Sequence, residues 1–281
     1  FSDLGLSTID STTELALINR VLDTATTAQV DTYAELSGLA STVVGIMVTA
    51  AGGVAVPTIT AADLAAIGLT GVTSANLASV LGAIAGTADD GSGVDTIVEL
   101  QALVDQVVND AKAAALAIIT GYNGSNTAPT ANDYSNAGIT GVTSSTLGLV
   151  NTIIATSAGT AKDTAAEVQV IADIAASLLA GADGNGANNN VTLTASQYAL
   201  IGLTTIDDAT KASLLNDAID AMTSSQVDTQ TELLALASIV NRLMSTAADG
   251  SPSPALTASD FATLGITGVT ADNLPAVIAA I

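Results

Sequence analysis

The residues best suited to chemistry are three carboxylates in the stretch TADDGSGVD: Asp89, Asp90 and Asp95. Carboxylate oxygens set around glycines can wrap a calcium ion, a hard cation that takes oxygen ligands from a flexible loop. Asp89, Asp90 and Asp95 are therefore the calcium candidate, although the spacing is not that of an EF-hand loop. GADGNGANNN, with Asp183, Asn185 and Asn188, is a weaker second candidate. The competing reading of both stretches is a flexible turn, with Asp95 completing the next helix start. The matching linkers elsewhere, ATTAQVD and TSSQVD, are shorter, which argues against a metal in every segment.

Other chemistry has little to work with. The chain has no His and no Cys, which removes the commonest general base, the commonest transition-metal ligand and all thiolate sites. Acidic residues number 27 against 5 basic ones, for a net charge of −22. The cations are Arg20, Lys112, Lys162, Lys211 and Arg242. So few cannot neutralise a phosphate backbone or hold an anionic membrane, so neither nucleic acid nor membrane is an expected partner. The recurring acids sit at helix starts, where they have an architectural job, and an active site is normally single. No enzymatic activity is expected, and no cofactor beyond possible calcium.

The elements that carry these residues repeat. FSDLGLSTIDSTTEL, ITAADLAAIGLTGVTSANL, PTANDYSNAGITGVTSSTL, LTASQYALIGLTTIDDATKASL and LTASDFATLGITGVTADNL share an anchoring glycine at Gly5, Gly68, Gly138, Gly202 and Gly265, spaced 63, 70, 64 and 63 residues apart. Fixed-period self-similarity signals a repeat architecture. Thr60, Thr130, Thr194 and Thr257 each stand three residues before Asp63, Asp133, Gln197 or Asp260, the pattern of a helix-start capping box. The glycine then ends a short helix, because it tolerates the left-handed geometry of a helix end. An aromatic or Leu follows each box (Leu64, Tyr134, Tyr198, Phe261); the aromatic slot, with Phe1 in the first copy, is expected in a core or in a contact between repeats, and Tyr33 and Tyr122 are candidates for exposure.

A second helix starts near Thr73, Thr143 and Thr270, with Leu77, Val80, Leu81 and Ile84 on one face. A third starts at Thr32 with Glu35, Thr96 with Glu99, Thr164 with Glu167 and Thr229 with Glu232, each Thr preceded by Asp. Its stripe in the second copy runs Leu100, Leu103, Val104, Val107, Val108, Ala111. Gly, Pro, Asn and Asp mark the exit turns, of which GVAVPTIT could form a short strand. No residue from Leu36 to Ala62 is charged; its glycines, Pro57 and hydroxyls fit a third helix and exit turn better than a membrane span.

The run AIGLTGVTSANLASVLGAIAG…VDTIVELQALVDQVV resembles the three-helix modules of bacterial surface proteins, such as albumin-binding GA modules and FIVAR-type relatives. They share a short loop after Gly-Ile/Leu, an Asn-Leu opening the second helix and a Val-x-x-Leu stripe opening the third. The wider pattern of Thr-, Ala- and Asp-rich units is similar to repeat regions of large secreted bacterial adhesins and matrix proteins. The Thr, Ala and Ser surface positions depart from the Lys-rich faces of albumin-binding modules, so no ligand-contacting residue carries over.

The expected fold is all-α, an elongated tandem array of three-helix-bundle repeats of about 65 residues. Expected boundaries are 1–58 (opening inside a repeat), 59–129, 130–191, 192–255 and 256–281 (ending inside one). So small a unit without disulfide or metal has little core, and stacked neighbours supply the rest. The resemblance implies a structural fibre, sheath or stalk segment of an extracellular, cell-surface or biofilm-matrix protein that self-associates or leans on neighbouring repeats. The alternative is a set of adhesin modules binding a host or matrix protein.

Overall fold

Short helices closed at both ends set the pattern of the chain. The structure, a computed structural model, describes residues 1–281 except Asp89, Ala187, Asn188, Asn189 and Asp249. Its described residues form thirteen α-helices. They are α1 (Thr12–Thr24), α2 (Tyr33–Ala50), α3 (Ala61–Ala66), α4 (Leu77–Ala85), α5 (Ile97–Thr120), α6 (Ala131–Asn136) and α7 (Leu147–Thr156), then α8 (Ala165–Gly181), α9 (Ala195–Leu200), α10 (Ala209–Asp220), α11 (Gln230–Ala247), α12 (Ala258–Thr263) and α13 (Leu274–Ile278). Short 3-10 turns cover Ser2–Leu4, Thr27–Gln29, Gly159–Ala161 and Ser224–Gln226. The protein is all-helical: the described residues contain no strand, residues 53–60 included, and the one bridge is isolated, between Asp183 and Thr223.

The four six-residue helices α3, α6, α9 and α12 show how so short a helix persists. Six residues leave almost every N–H and C=O of the helix without an internal partner. At the start of α3 the Thr60 N–H donates to the Asp63 carboxylate (2.8 Å) and the Asp63 N–H donates to the Thr60 hydroxyl (3.2 Å). The same reciprocal box opens α6, α9 and α12, with Gln197 in place of the acid in α9. At the end of α3, Gly68 takes φ 96°. Its N–H reaches the Ala65 carbonyl while the Leu69 N–H reaches back to Leu64 (3.1 Å), the paired bonds of a Schellman turn. Ile139 to Tyr134, Leu203 to Tyr198 and Ile266 to Phe261 repeat that return bond, each at 2.9 Å. The longer helices α2, α8 and α11 open with Thr–Glu boxes, and α5 carries the same Thr96–Glu99 bonds.

The chain divides into two compact bodies, Phe1–Ala111 and Lys112–Ile281. In the first, the core gathers Leu17, Ile18 and Val21 of α1, Leu39, Val43 and Ile46 of α2, Leu64 of α3, Val80 and Ile84 of α4, and Leu100 and Val104 of α5. Helix α2 packs on α1, α3 and α4. It is long and apolar enough to cross a membrane, and half of it is buried in this core. Its buried hydroxyls Thr42 and Thr49 donate to the Gly38 and Gly45 carbonyls one turn back (3.0 and 2.8 Å), which satisfies them without a partner outside the helix. The stripe of α5 is buried at Leu100 and Val104 but ends before Ala111: residues 109–114 are exposed, although the apolar period itself continues through Ala111, Ala114 and Ala115.

In the second body a single core runs from Ala115 to Leu264 through α5 to α12, with Leu274, Val277 and Ile278 of α13 packed at its margin. Tyr134, Tyr198 and Phe261 lie inside it, while Tyr122 is half-buried at its edge. Tyr33, in the first body, is exposed.

Two glycines of the first body separate backbone geometry from packing. A methyl group on either Gly68 or Gly82 would meet nothing within 4 Å. Gly68→Ala is expected to destabilise by about 1–2 kcal/mol, the cost of a left-handed L-residue. Gly82→Ala, inside α4, is expected to stabilise by about 0.5–1 kcal/mol. Opposite shifts of the urea midpoint are the check.

Candidate functional site

Of the calcium candidates, Asp89 lies outside the described residues, and so does Asn188 of the second loop. Asp90 is exposed, and its Oδ1 accepts the Ser92 N–H at 3.0 Å; that bond holds its carboxyl below the usual value. It thereby closes the turn that Gly91 (φ 77°) continues. Asp95 stands at the start of α5. Burial, then the neighbouring Glu99, then Asp90, push its carboxyl up. Asp163 at the start of α8 is also raised, there by Glu167 first, and no metal loop is expected there. An Asp before a Thr–Glu box can thus be raised by the Glu of the box without a metal loop. Among the described residues no three carboxylates gather as a metal-holding group. In the second loop, Asp183 Oδ1 accepts the Asn185 N–H (2.8 Å) and its Oδ2 the Asn190 amide (3.2 Å).

The strongest polar constellations were not anticipated as sites. Tyr134 and Tyr198 are fully buried phenols. Tyr134 donates to Asn151 Oδ1 (2.7 Å), and the Asn151 amide donates to the Pro129 carbonyl (2.9 Å). Tyr198 does the same with Asn216 (2.6 Å), whose amide reaches Leu193 O (2.9 Å). Burial pushes both phenols far above their ordinary value, so they stay neutral donors. Counted from the anchoring glycines, the place of the Tyr134–Asn151 pair is taken by Leu64 and Leu81 in the first body and by Phe261 and Ile278 after Gly265. A buried hydroxyl needs a partner, and each of these Tyr has an Asn in the following long helix. The repeat alone does not single the pair out, because Asn19 stands at the place of Asn216 with Phe1 at the place of Tyr198.

Lys162 replaces the Val of the other three VDT phrases. Its ammonium is buried and donates to Tyr122 O (2.8 Å) and to Ile154 O (2.7 Å), near the C-terminal end of α7. Burial lowers its pKa, while the negative end of the helix favours the cation. Held by two carbonyls beneath the surface, it is a cap. Arg242 of α11 forks onto Asp260, at 2.7 and 3.0 Å, and also donates to Ala255 O (3.1 Å). Asp260 closes the box of α12 at the same time. Its pKa is lowered, by Arg242 first. The Arg242 Nε is buried without a partner.

Gln230 joins segments far apart in sequence. Its N–H donates to the Thr152 hydroxyl of α7 (3.0 Å), its Oε1 accepts from Thr156 (2.6 Å), and its Nε2 donates to Ile201 O (2.7 Å). A groove between residues 191–196 and α10 is lined by Leu193, Ala195, Ala212, Ser213, Asn216 and Asp217. Its one carboxylate is Asp217; Ser196 and Ser213 line it as well, and the Asn216 amide is committed to Tyr198 and Leu193. The Tyr–Asn, Lys162, Arg242 and Gln230 arrangements tie helices together.

No family model, curated protein or solved structure matches the chain.

Two measurements probe these ties. Tyr134→Phe and Asn151→Leu are each expected to destabilise by about 1–3 kcal/mol, by orphaning a buried polar group. The double variant, which imitates the Leu64–Leu81 arrangement, should cost less than their sum in a double-mutant cycle. For Arg242→Met, the sign follows from Asp260. Its folded pKa is depressed, so the pair stabilises above the ordinary aspartate value of 3.8 and loses that contribution as pH falls through the lower folded value. The stability gap between wild type and variant should be full at pH 7 and shrink below that value in denaturant titrations at stepped pH.

Proposed function

We propose that the chain is a tandem array of three-helix units of about 65 residues, and that it serves as a structural segment of a large extracellular bacterial surface or matrix protein. The observation that carries this reading is the undivided core of the second body. It runs through the last turns of α5 and on through α6–α8, α9–α11 and α12, which are successive units in the sequence pattern. Independent modules would each close a core of their own. Here a unit leans on its neighbour: α8 packs on α10 and on the 224–226 turn, and α11 packs on α7. The first body offers the same arrangement, with α2 packed on α3 and α4.

A stacked array distributes stability over unit and interface terms, and its product is a scaffold without a central cleft. The composition suits an exposed setting: five cations in 281 residues leave trypsin-like proteases few cleavage points. The resemblance to GA- and FIVAR-type surface modules points the same way. Partners in this reading are other units of the same kind.

The test is excision. A single unit, residues 130–191, is expected to lose most of its helical circular dichroism and its cooperative melt, while the 281-residue chain keeps both. A cooperative, fully helical excised unit would instead favour independent ligand-binding modules. Electron microscopy of the native material should show a fibre, sheath or stalk.

A further inference from the structure

Residues 1–51 and 198–248 align without a gap at a constant offset, yet one face differs sharply in exposure. Leu4 is 58 % exposed where Ile201 is 0 %, Leu15 is 42 % where Ala212 is 3 %, and Tyr33 is 59 % where Gln230 is 6 %. Phe1, Leu22, Val30 and Leu36 are half-buried, whereas Tyr198, Ile219, Val227 and Leu233 are fully buried. Single exposed apolar side chains need no explanation, but a contiguous set of them marks an interaction surface.

The second body shows what covers the equivalent face. Thr152 and Thr156 of α7 hold Gln230. Helix α8 lies against α10. The segment leaving α8 closes the end of α10: the Gly184 N–H donates to Met222 O (2.8 Å) and the Asn190 N–H to the Asp220 carboxylate (2.9 Å). We infer that the face of Leu4, Leu15 and Tyr33 is a docking face for a further three-helix unit of the same kind, seated through its second helix, third helix and exit turn. This rests on the array reading. The occupant is defined by chemistry. It presents hydroxyls at the end of its second helix, opposite Tyr33, and small and aliphatic side chains along its third, opposite Leu15. Leu15 and Tyr33 are larger than Ala212 and Gln230, so the natural occupant is shaped to them and differs in detail from residues 147–190.

The test grafts residues 131–197 ahead of Phe1, in the register by which they precede Tyr198. A second graft also carries Leu15→Ala and Tyr33→Gln, which makes the receiving face match Ala212 and Gln230 and removes the question of shape. Hydrogen exchange of residues 12–24 and 33–36 is the readout, with circular dichroism reporting whether the graft folds. The expected result is a helical graft and at least tenfold slower exchange in one or both chimeras, with Leu4→Lys abolishing that protection in the chimera while barely moving the unfolding midpoint of the ungrafted chain. A helical graft with unchanged exchange in both chimeras overturns the docking face and leaves the array reading standing. A graft that gains no helix overturns the array reading and this inference with it. Protection that rises with concentration in the ungrafted chain means the face pairs with itself, and also overturns the inference.

Discussion

Everything in this fold depends on closing the ends of short helices. A helix of six residues cannot sustain itself by propagation, because nucleation is costly and its internal bonds are few. Here the chain supplies the missing partners locally: a Thr hydroxyl and an acid three residues on at one end, a left-handed glycine at the other. Each box contributes about 0.5–2 kcal/mol. The more important effect is geometric. The box and the Schellman turn fix where the chain enters and leaves α3, α6, α9 and α12, and so aim Leu64, Tyr134, Tyr198 and Phe261 into the core. A chain with 2 % aromatics has few large side chains to define a core, so aiming each of them matters.

The same device accounts for part of the acidity. Glu35 is held below its ordinary pKa by the Thr32 hydroxyl and backbone, and Glu167 by Asp163 and Thr164. Glu14 is lowered as well: burial opposes it, and the bonds from Ser11 and Asp10 prevail. These carboxylates are ionised at neutral pH at helix N-termini, where the backbone dipole favours negative charge. Part of the acidic composition, from which the metal candidates are also drawn, is thus a supply of caps.

That distinction also marks what could be read from the sequence. The boxes at Thr60, Thr130, Thr194 and Thr257 and the glycine stops were legible because each is made within six or seven residues. Asp95 was legible as a carboxylate in a glycine-rich loop, but its neighbour Glu99 lies one helical turn away, and the cap and ligand readings share one pattern. The Tyr134–Asn151 pair, the Lys162 cap and the Gln230 junction were missed. Their bonds bridge 8 to 78 residues in sequence, and their partners are placed only by packing. Of the three only Lys162 left a local trace, a Lys where the other three copies have Val; the places of Tyr134 and Gln230 vary from copy to copy, so nothing local marked them.

The cations show how far that economy goes. Lys162 caps α7, Lys211 pairs with Asp207 at 2.7 Å, and Arg242 grips Asp260. Only Arg20 and Lys112 are exposed. The outer surface is therefore almost purely anionic, and two such surfaces repel over roughly a Debye length, about 8 Å at physiological ionic strength. In the array proposed above, lateral association would depend on mobile cations between arrays, whereas stacking along it would proceed through buried apolar faces such as that of Ile201 and Ala212. On that proposal the two directions of contact would obey different physics: one governed by salt, the other by buried area, so that a fibre built this way would be cohesive along its length while its sides respond to the ionic medium.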